Sequence, residues 1–150
     1  MTRIQKIVLT TDLSDASTRA FPFAGMLAAS AGAQLVLVHV IDVAPQLPPG
    51  AIALPEAEED ALRTEVRSHV ERHLAQLIKD HFGATSGVRH AVLEGRDAAR
   101  AVCDYAREHG VDMIAVAASG HRSVSQMLLG NVAARIVRQA PCPVAVVPVA

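Results

Sequence analysis

Residues 113–149 read MIAVAASGHRSVSQMLLGNVAARIVRQAPCPVAVVPV, and this run decides the fold class. It opens on an apolar stretch, Met113–Ala117, and passes through a segment punctuated by Gly120 and Gly130. A helical pattern follows over Val132–Gln139, Pro141 and Pro143 end it, and a second apolar stretch, Val144–Val149, closes the run. Apolar runs that do not alternate with polar residues are expected of strands covered on both faces. A helix between two such strands makes a right-handed crossover in a parallel sheet. Upstream the same unit recurs, with apolar runs at Ile4–Thr10, Leu35–Ile41 and Val88–Leu93 separated by longer helical patterns. The prediction is an α/β fold: a doubly wound, five-stranded parallel sheet with helices on both faces, in a single domain over residues 1–150.

The helix boundaries carry their own chemistry. Ser14 or Asp15 is placed to cap the first helix, and Gly32 follows its end as a C-terminal glycine does. Pro22 lies inside that pattern, so the helix either kinks there or starts its regular part late. The second helix is expected over about Glu58–Phe82, with Leu62, Val66, Val70, Leu74 and Ile78 on one stripe and Gly83 closing it. Asp97 caps the third helix, Gly110 ends it, and Asn131 is positioned to cap the last. Between the second strand and second helix, Val43–Ala57 holds Pro45, Pro48, Pro49, Gly50 and Pro55. That composition makes it a connector or, since it leaves the carboxyl edge of the sheet, a flap over a ligand crevice.

Composition excludes several function classes. The chain is 51% hydrophobic with no Trp, one Tyr and three Phe, so the core is aliphatic and the stacking platforms of single-strand nucleic-acid binders are missing. A net charge of -1 gives no basic footprint for nucleic acid or an anionic membrane. Cys103 and Cys142 have neither zinc nor redox spacing, and two free thiols fit a reducing compartment. With no signal-like or membrane-length apolar segment, a soluble cytoplasmic protein is expected.

Parallel sheets take ligands where strand carboxyl ends meet helix N-termini. Two connections at that edge are unusual. Thr10-Thr11-Asp12-Leu13-Ser14 leaves a carboxylate at the tip of the first strand. Asp12 either holds its own turn through Asx-type bonds or accepts hydrogen bonds from a nucleotide's ribose or base. The second connection runs from Ala117 to Val132. Gly120 and Gly130 flank nine residues; glycine lets backbone N–H groups approach an anion, and the helix start adds free donors from Val132 and Ala133 and a favourable dipole. His121 and Arg122 in this loop are either solvated or available to phosphates, Arg122 through a bidentate fork. Other polar residues have simpler readings. His69 and His73, four apart with no third ligand, read as a solvated helix face rather than a metal site. His39, inside a buried strand, reads as a hydrogen-bonded core residue, and Cys142, between two prolines with no cationic neighbour, as packing.

With these pieces assembled, the sequence resembles the universal stress proteins along essentially its whole length. The likeness lies in Thr11-Asp12-Leu13-Ser14-Asp15-Ala16-Ser17, Val38-His39-Val40-Ile41-Asp42, Glu94-Gly95, Leu129-Gly130-Asn131-Val132-Ala133 and Ala140-Pro141-Cys142-Pro143-Val144. The resemblance implies strand order 3-2-1-4-5, a homodimer formed along the C-terminal strand 144–149, and a cytoplasmic, non-catalytic role in stress response. It also implies ATP binding, with Mg2+, through Gly-x2-Gly-x9-Gly-[Ser/Thr]. Gly120 and Gly130 match the second and third glycines, while Ala117 replaces the first, Asn131 replaces Ser or Thr, and Ser123 replaces a common loop glycine. Asp12 matches the family's nucleotide-contacting aspartate, with Thr11 beside it, and Val40 the residue whose backbone faces adenine. If position 117 needs a positive φ, its methyl costs about 1 kcal/mol; otherwise it crowds the ligand. Three functions follow: an ATP-binding homodimeric signalling protein, the same fold with a decayed site acting through a protein partner alone, and a weak ATPase, for which no nucleophile–base pair is evident.

Overall fold

The computed structural model describes residues 3–42, 49–118 and 129–149. Five strands, β1 Lys6–Thr10, β2 Gln34–Ile41, β3 Arg89–Glu94, β4 Met113–Ala117 and β5 Val144–Val147, form one parallel sheet in the order 3-2-1-4-5. Four helices alternate with them: α1 Phe21–Ala31, α2 Glu56–Phe82, α3 Ala98–Glu108 and α4 Asn131–Gln139. The order expected from the family resemblance is the order observed.

Every strand pair leaves an apolar face on each side, and the helices divide between them. Ile7, Leu9, Leu35, Leu37 and Ala115 pack with Phe21, Ala24 and Ala28 of α1 and Val70, Leu74 and Ile78 of α2. On the opposite face Val8, Val36, Val38, Ile114 and Val116 pack with Ala99, Val102 and Cys103 of α3 and Ala133 and Ile136 of α4. Burial on both faces is why the strands read as unbroken apolar runs.

Pro22 resolves in favour of a late start. A 3-10 turn over Ala16–Ala20 precedes α1, and the proline occupies the first helical turn, where its missing N–H has no helical acceptor to lose. Of the two expected caps, Asp15 makes no side-chain cap bond; the Ser14 hydroxyl accepts from the Ser17 N–H at 3.3 Å instead. Gly32 takes φ +64° at the end of α1, and the Ala33 N–H reaches back to the Ala28 carbonyl at 2.8 Å.

The α2 stripe is only half used. Val70, Leu74 and Ile78 are buried, but Leu62 and Val66 are 52% and 41% exposed. A helix of 27 residues is about 40 Å long at 1.5 Å per residue. An eight-residue strand spans only about 26 Å. The N-terminal turns of α2 therefore pass beyond the sheet on its carboxyl side. Within the segment expected as connector or flap, residues 43–48 lie outside the described residues; 49–55 are irregular and exposed, and Glu56 and Ala57 already belong to α2. Glu56, Glu58 and Glu59 in its first turn suit the positive end of the helix dipole.

Both sheet edges have individual treatments. Arg67 of α2 donates to the backbone carbonyl of Val92 on edge strand β3 at 3.1 Å and pairs with Glu94 at 3.1 Å, occupying that edge. β5, at the other edge, has four half-buried residues and ends before Pro148. At the amino end of the sheet, Asp112 Oδ2 accepts from the backbone N–H groups of Gln5 and Lys6 at 2.8 and 3.0 Å, tying β4 to the start of β1.

Candidate functional site

β1 lies between β2 and β4. Its chain leaves toward α1 on one face, while β4 leads to α4 on the other. This reversal makes the carboxyl ends of β1 and β4 the crevice where open α/β sheets bind ligands. Thr11, Asp12, Ala117 and the start of α4 converge there. Val40 stands one strand over, near the end of β2.

The turn after β1 is determined atom by atom. Thr11 is buried, and its N–H donates to the Val38 carbonyl at 3.0 Å. Ser17 Oγ donates to the Ser14 carbonyl at 2.7 Å, so the 2.7 Å contact between Thr11 Oγ1 and Ser17 Oγ has Thr11 as donor. Thr11 Oγ1 in turn accepts from the Leu13 N–H at 3.0 Å. Asp12 Oδ1 accepts from the Ser14 N–H at 2.9 Å and from the Ser14 hydroxyl. The Asx-type role expected of Asp12 is thus present, with its side chain exposed on the carboxyl edge. Leu13 takes φ +68°, a left-handed conformation costing a non-glycine residue about 1–2 kcal/mol. Such strain persists only where surrounding bonds over-determine the backbone, as they do here.

The loop after β4 is tied at its base. The Ala118 N–H donates to the Val147 carbonyl at 2.8 Å, and the Gly130 N–H donates to the Ala118 carbonyl at 2.5 Å. Strand exit and helix start are held together whatever course the intervening residues take. Gly120, His121 and Arg122, with Ser123, lie outside the described residues.

One expectation for this loop is corrected, and one open alternative is resolved. Asn131 does not cap α4: the N-cap position is Gly130, and Asn131 is already the first helical residue. The Gly130 carbonyl accepts the first helical bond, from the Ala134 N–H at 2.9 Å, because a glycine in extended geometry can end the loop where the helix begins. The donors of the first turn are therefore the N–H groups of Asn131, Val132 and Ala133, with Asn131 and Val132 exposed and Ala133 buried. Ala117 is an ordinary extended strand residue; among the described residues Leu13 is the sole non-glycine with positive φ. Its methyl carries no backbone strain and lies within the α1-side core, 8% exposed. Gly130 itself has φ -55° and ψ 153°, a backbone conformation open to any residue.

Sequence reasoning read His39 as hydrogen-bonded and Asp97 as a helix cap, but missed the long-range partner of each. His39, half-buried on the α1 side of β2, places Nδ1 2.8 Å from the Thr11 carbonyl. The carbonyl can only accept, so Nδ1 donates. Asp97 caps α3 as expected, accepting from the Arg100 N–H at 3.1 Å, and also pairs with Arg135 of α4. The hydrogen bond from Arg135 and that from the Arg100 backbone hold its carboxyl below the ordinary value. Neither acceptor is local to its partner, and only a pairing across the fold would have revealed it.

His69 and His73 are exposed on α2, and no group of three or more metal-ligating side chains occurs among the described residues. Burial raises the thiols of Cys103 and Cys142, against a reactive role. No helix among the described residues is long and apolar enough to cross a membrane.

Fold and site together define a doubly wound α/β protein whose candidate site lies at the switch point of its sheet. The chain belongs to the universal stress protein family, whose model matches residues 3–148. It is 29% identical over 143 residues to universal stress protein MJ0531 of Methanocaldococcus jannaschii, covering 95% of this chain and 81% of that one. Universal stress protein YxiE of Bacillus subtilis is 28% identical over 146 residues, covering 95% and 97%. Among solved structures, UspA of Lactobacillus plantarum superposes with a TM-score of 0.71 at 26% identity, covering 98% and 99%. The fold is shared with a universal stress protein solved in complex with cAMP (TM-score 0.62, 23% identity, covering 99% and 100%). It is shared too with one from Archaeoglobus fulgidus in complex with dAMP (0.56, 20%, covering 97% and 99%).

Proposed function

We propose that this protein binds an adenine nucleotide, ATP in the first instance, in the crevice between β1 and β4, and that it signals by binding rather than by turnover. The observation carrying this reading is the juxtaposition of two preformed parts. The Asp12 turn offers a fixed carboxylate acceptor for ribose or base. The start of α4, tied to the strand exit through Gly130 and Ala118, offers the backbone N–H groups of a first helical turn and a helix dipole for phosphate. Relatives of the same fold solved with cAMP and dAMP support an adenine nucleotide as ligand. In this reading Val40 lines the adenine side; Gly120, His121 and Arg122, which lie outside the described residues, are phosphate-contact candidates from the sequence alone. Mg2+, when bound, would neutralise phosphate charge. Asn131 offers a backbone N–H to phosphate but has no hydroxyl to place on phosphate or metal. The sequence presents no evident nucleophile–base pair for hydrolysis, so turnover near the uncatalysed rate is expected; ATP hydrolysis clearly above buffer and abolished by Asp12→Ala would overturn this.

The protein acts as a cytoplasmic homodimer paired along β5. Supporting that geometry, the β3 edge is occupied by Arg67, whereas β5 is a short edge strand; Pro148 limits the length of pairing. Gly130→Val tests the nucleotide site. The backbone there accepts valine, so the fold should be retained while ATP affinity falls by roughly tenfold or more through blocked approach. Ala117 and Asn131 favour a second reading, a decayed site in a protein that works through a protein partner alone. It expects no ATP binding by the natural chain and a rise from near nothing on Ala117→Gly with Asn131→Ser.

A further inference from the structure

The side chain of His39 joins the Asp12 turn to β2. The β1–β2 register runs from Lys6↔Gln34 to Thr10↔Val38, and one residue on the Thr11 N–H still donates to the Val38 carbonyl. The Thr11 carbonyl is taken up differently, by His39 Nδ1 at 2.8 Å across 28 positions of sequence. His39 shares the α1-side face of β2 with Leu35, Leu37 and Ile41, and it directly precedes Val40.

We propose that His39 is a positioning residue for the nucleotide site, fixed as the Nδ1–H tautomer, whose bond to the Thr11 carbonyl sets the direction in which Asp12 leaves the sheet. This rests on the nucleotide-binding reading and adds a named atom to it. Three further features follow from that bond. The chain turns out at Asp12 because the ladder's next acceptor is spent on a side chain. Leu13 holds φ +68° because Thr11 is anchored on both sides, by His39 at its carbonyl and by Ser17 and Leu13 at its hydroxyl. And the strand carrying Val40 becomes rigidly connected to the turn carrying Asp12, so base-side and ribose-side groups share one frame. Ser14 holds the carboxylate relative to the turn; His39 holds the turn relative to the sheet.

The geometry predicts which replacements work. The amide nitrogen of asparagine occupies nearly the place of a histidine Nδ1 and donates in the same direction, whereas leucine fills the space without a donor. The experiment compares wild type, His39→Asn and His39→Leu by calorimetric titration with ATP, and by amide hydrogen exchange of Leu13 and Ser14 without nucleotide. A ring 15N spectrum reads the tautomer, and thermal melting confirms that each variant is folded. Expected for His39→Leu is a loss of affinity of about 3- to 10-fold, the worth of one hydrogen bond, and faster exchange at both amides. His39→Asn should stay within about 2-fold of wild type on both. Wild-type values in His39→Leu, equal losses in the two variants, or a neutral Nε2–H tautomer would overturn the proposal. If the natural chain takes up no ATP, the nucleotide reading fails, and the exchange and tautomer arms still decide whether His39 sets the turn.

Discussion

At the residue scale, the atoms that matter most are long-range partners of ordinary-looking side chains. Asp112 reads in sequence as a residue opening a strand, yet its carboxylate satisfies the N–H groups of Gln5 and Lys6, more than a hundred positions away. Removing it leaves two donors at the start of β1 without their acceptor. Asp112→Ala should therefore lower unfolding free energy by about 1–3 kcal/mol, measured as a shift of the urea midpoint at unchanged slope. The residues of the Asp12 turn were legible as a motif because their bonds are local: Asp12 to Ser14, Ser14 to Ser17 and Thr11 to Leu13 each span two or three positions. His39 and Arg135 were not, since sequence spacing says nothing of which carbonyl or carboxylate lies opposite.

Elements show where periodicity informs and where it stops. The stripe on α2 is continuous from Leu62 to Ile78, and nothing in it marks where the sheet beneath ends. Geometry does: Leu74 is fully buried whereas Leu62 is 52% exposed. Leu74→Ala should cost about 2–5 kcal/mol and Leu62→Ala less than about 0.5 kcal/mol, both by chemical denaturation. Pro22 could be read as a kink or a late start; the 3-10 turn before α1 selects the second. The cap of α4 was misassigned by one residue because Asn is the better capping side chain in isolation. Gly130, however, is the residue whose extended backbone meets the loop closure to Ala118. α3 and α4 are joined by Asp97 and Arg135. With Asp97 held below the ordinary carboxylate value of 3.8, its ion pair stabilises the folded state above that value. The contribution is lost as pH falls through the depressed folded value. Asp97→Asn keeps a good helix cap but drops the charge. Its melting temperature should lie below wild type at neutral pH, and the two curves should converge as pH falls below about 3.8. Curves that stay parallel would mean the pair contributes nothing.

For the whole molecule, the class of fold followed from unbroken apolar strands alternating with helices, and strand order followed from resemblance. The structure adds the reason the proposed ligand site and the proposed dimer edge lie apart. Sheet order places the Asp12 turn and the α4 start together at the switch point in the middle of the sheet, while β5 stays at an edge away from Arg67. Pairing along β5 predicts a native mass of twice the chain, independent of nucleotide, by light scattering; a monomer at high micromolar concentration would contradict it. The central claim is that the crevice holds an adenine nucleotide. Calorimetric titration of nucleotide-free protein with Mg·ATP tests it most directly, with Gly130→Val as the matched variant. The account predicts saturable one-site binding by the natural chain and a loss of roughly tenfold or more in a variant of unchanged melting temperature. No heat of binding at millimolar ATP, or equal affinity in Gly130→Val, would contradict it.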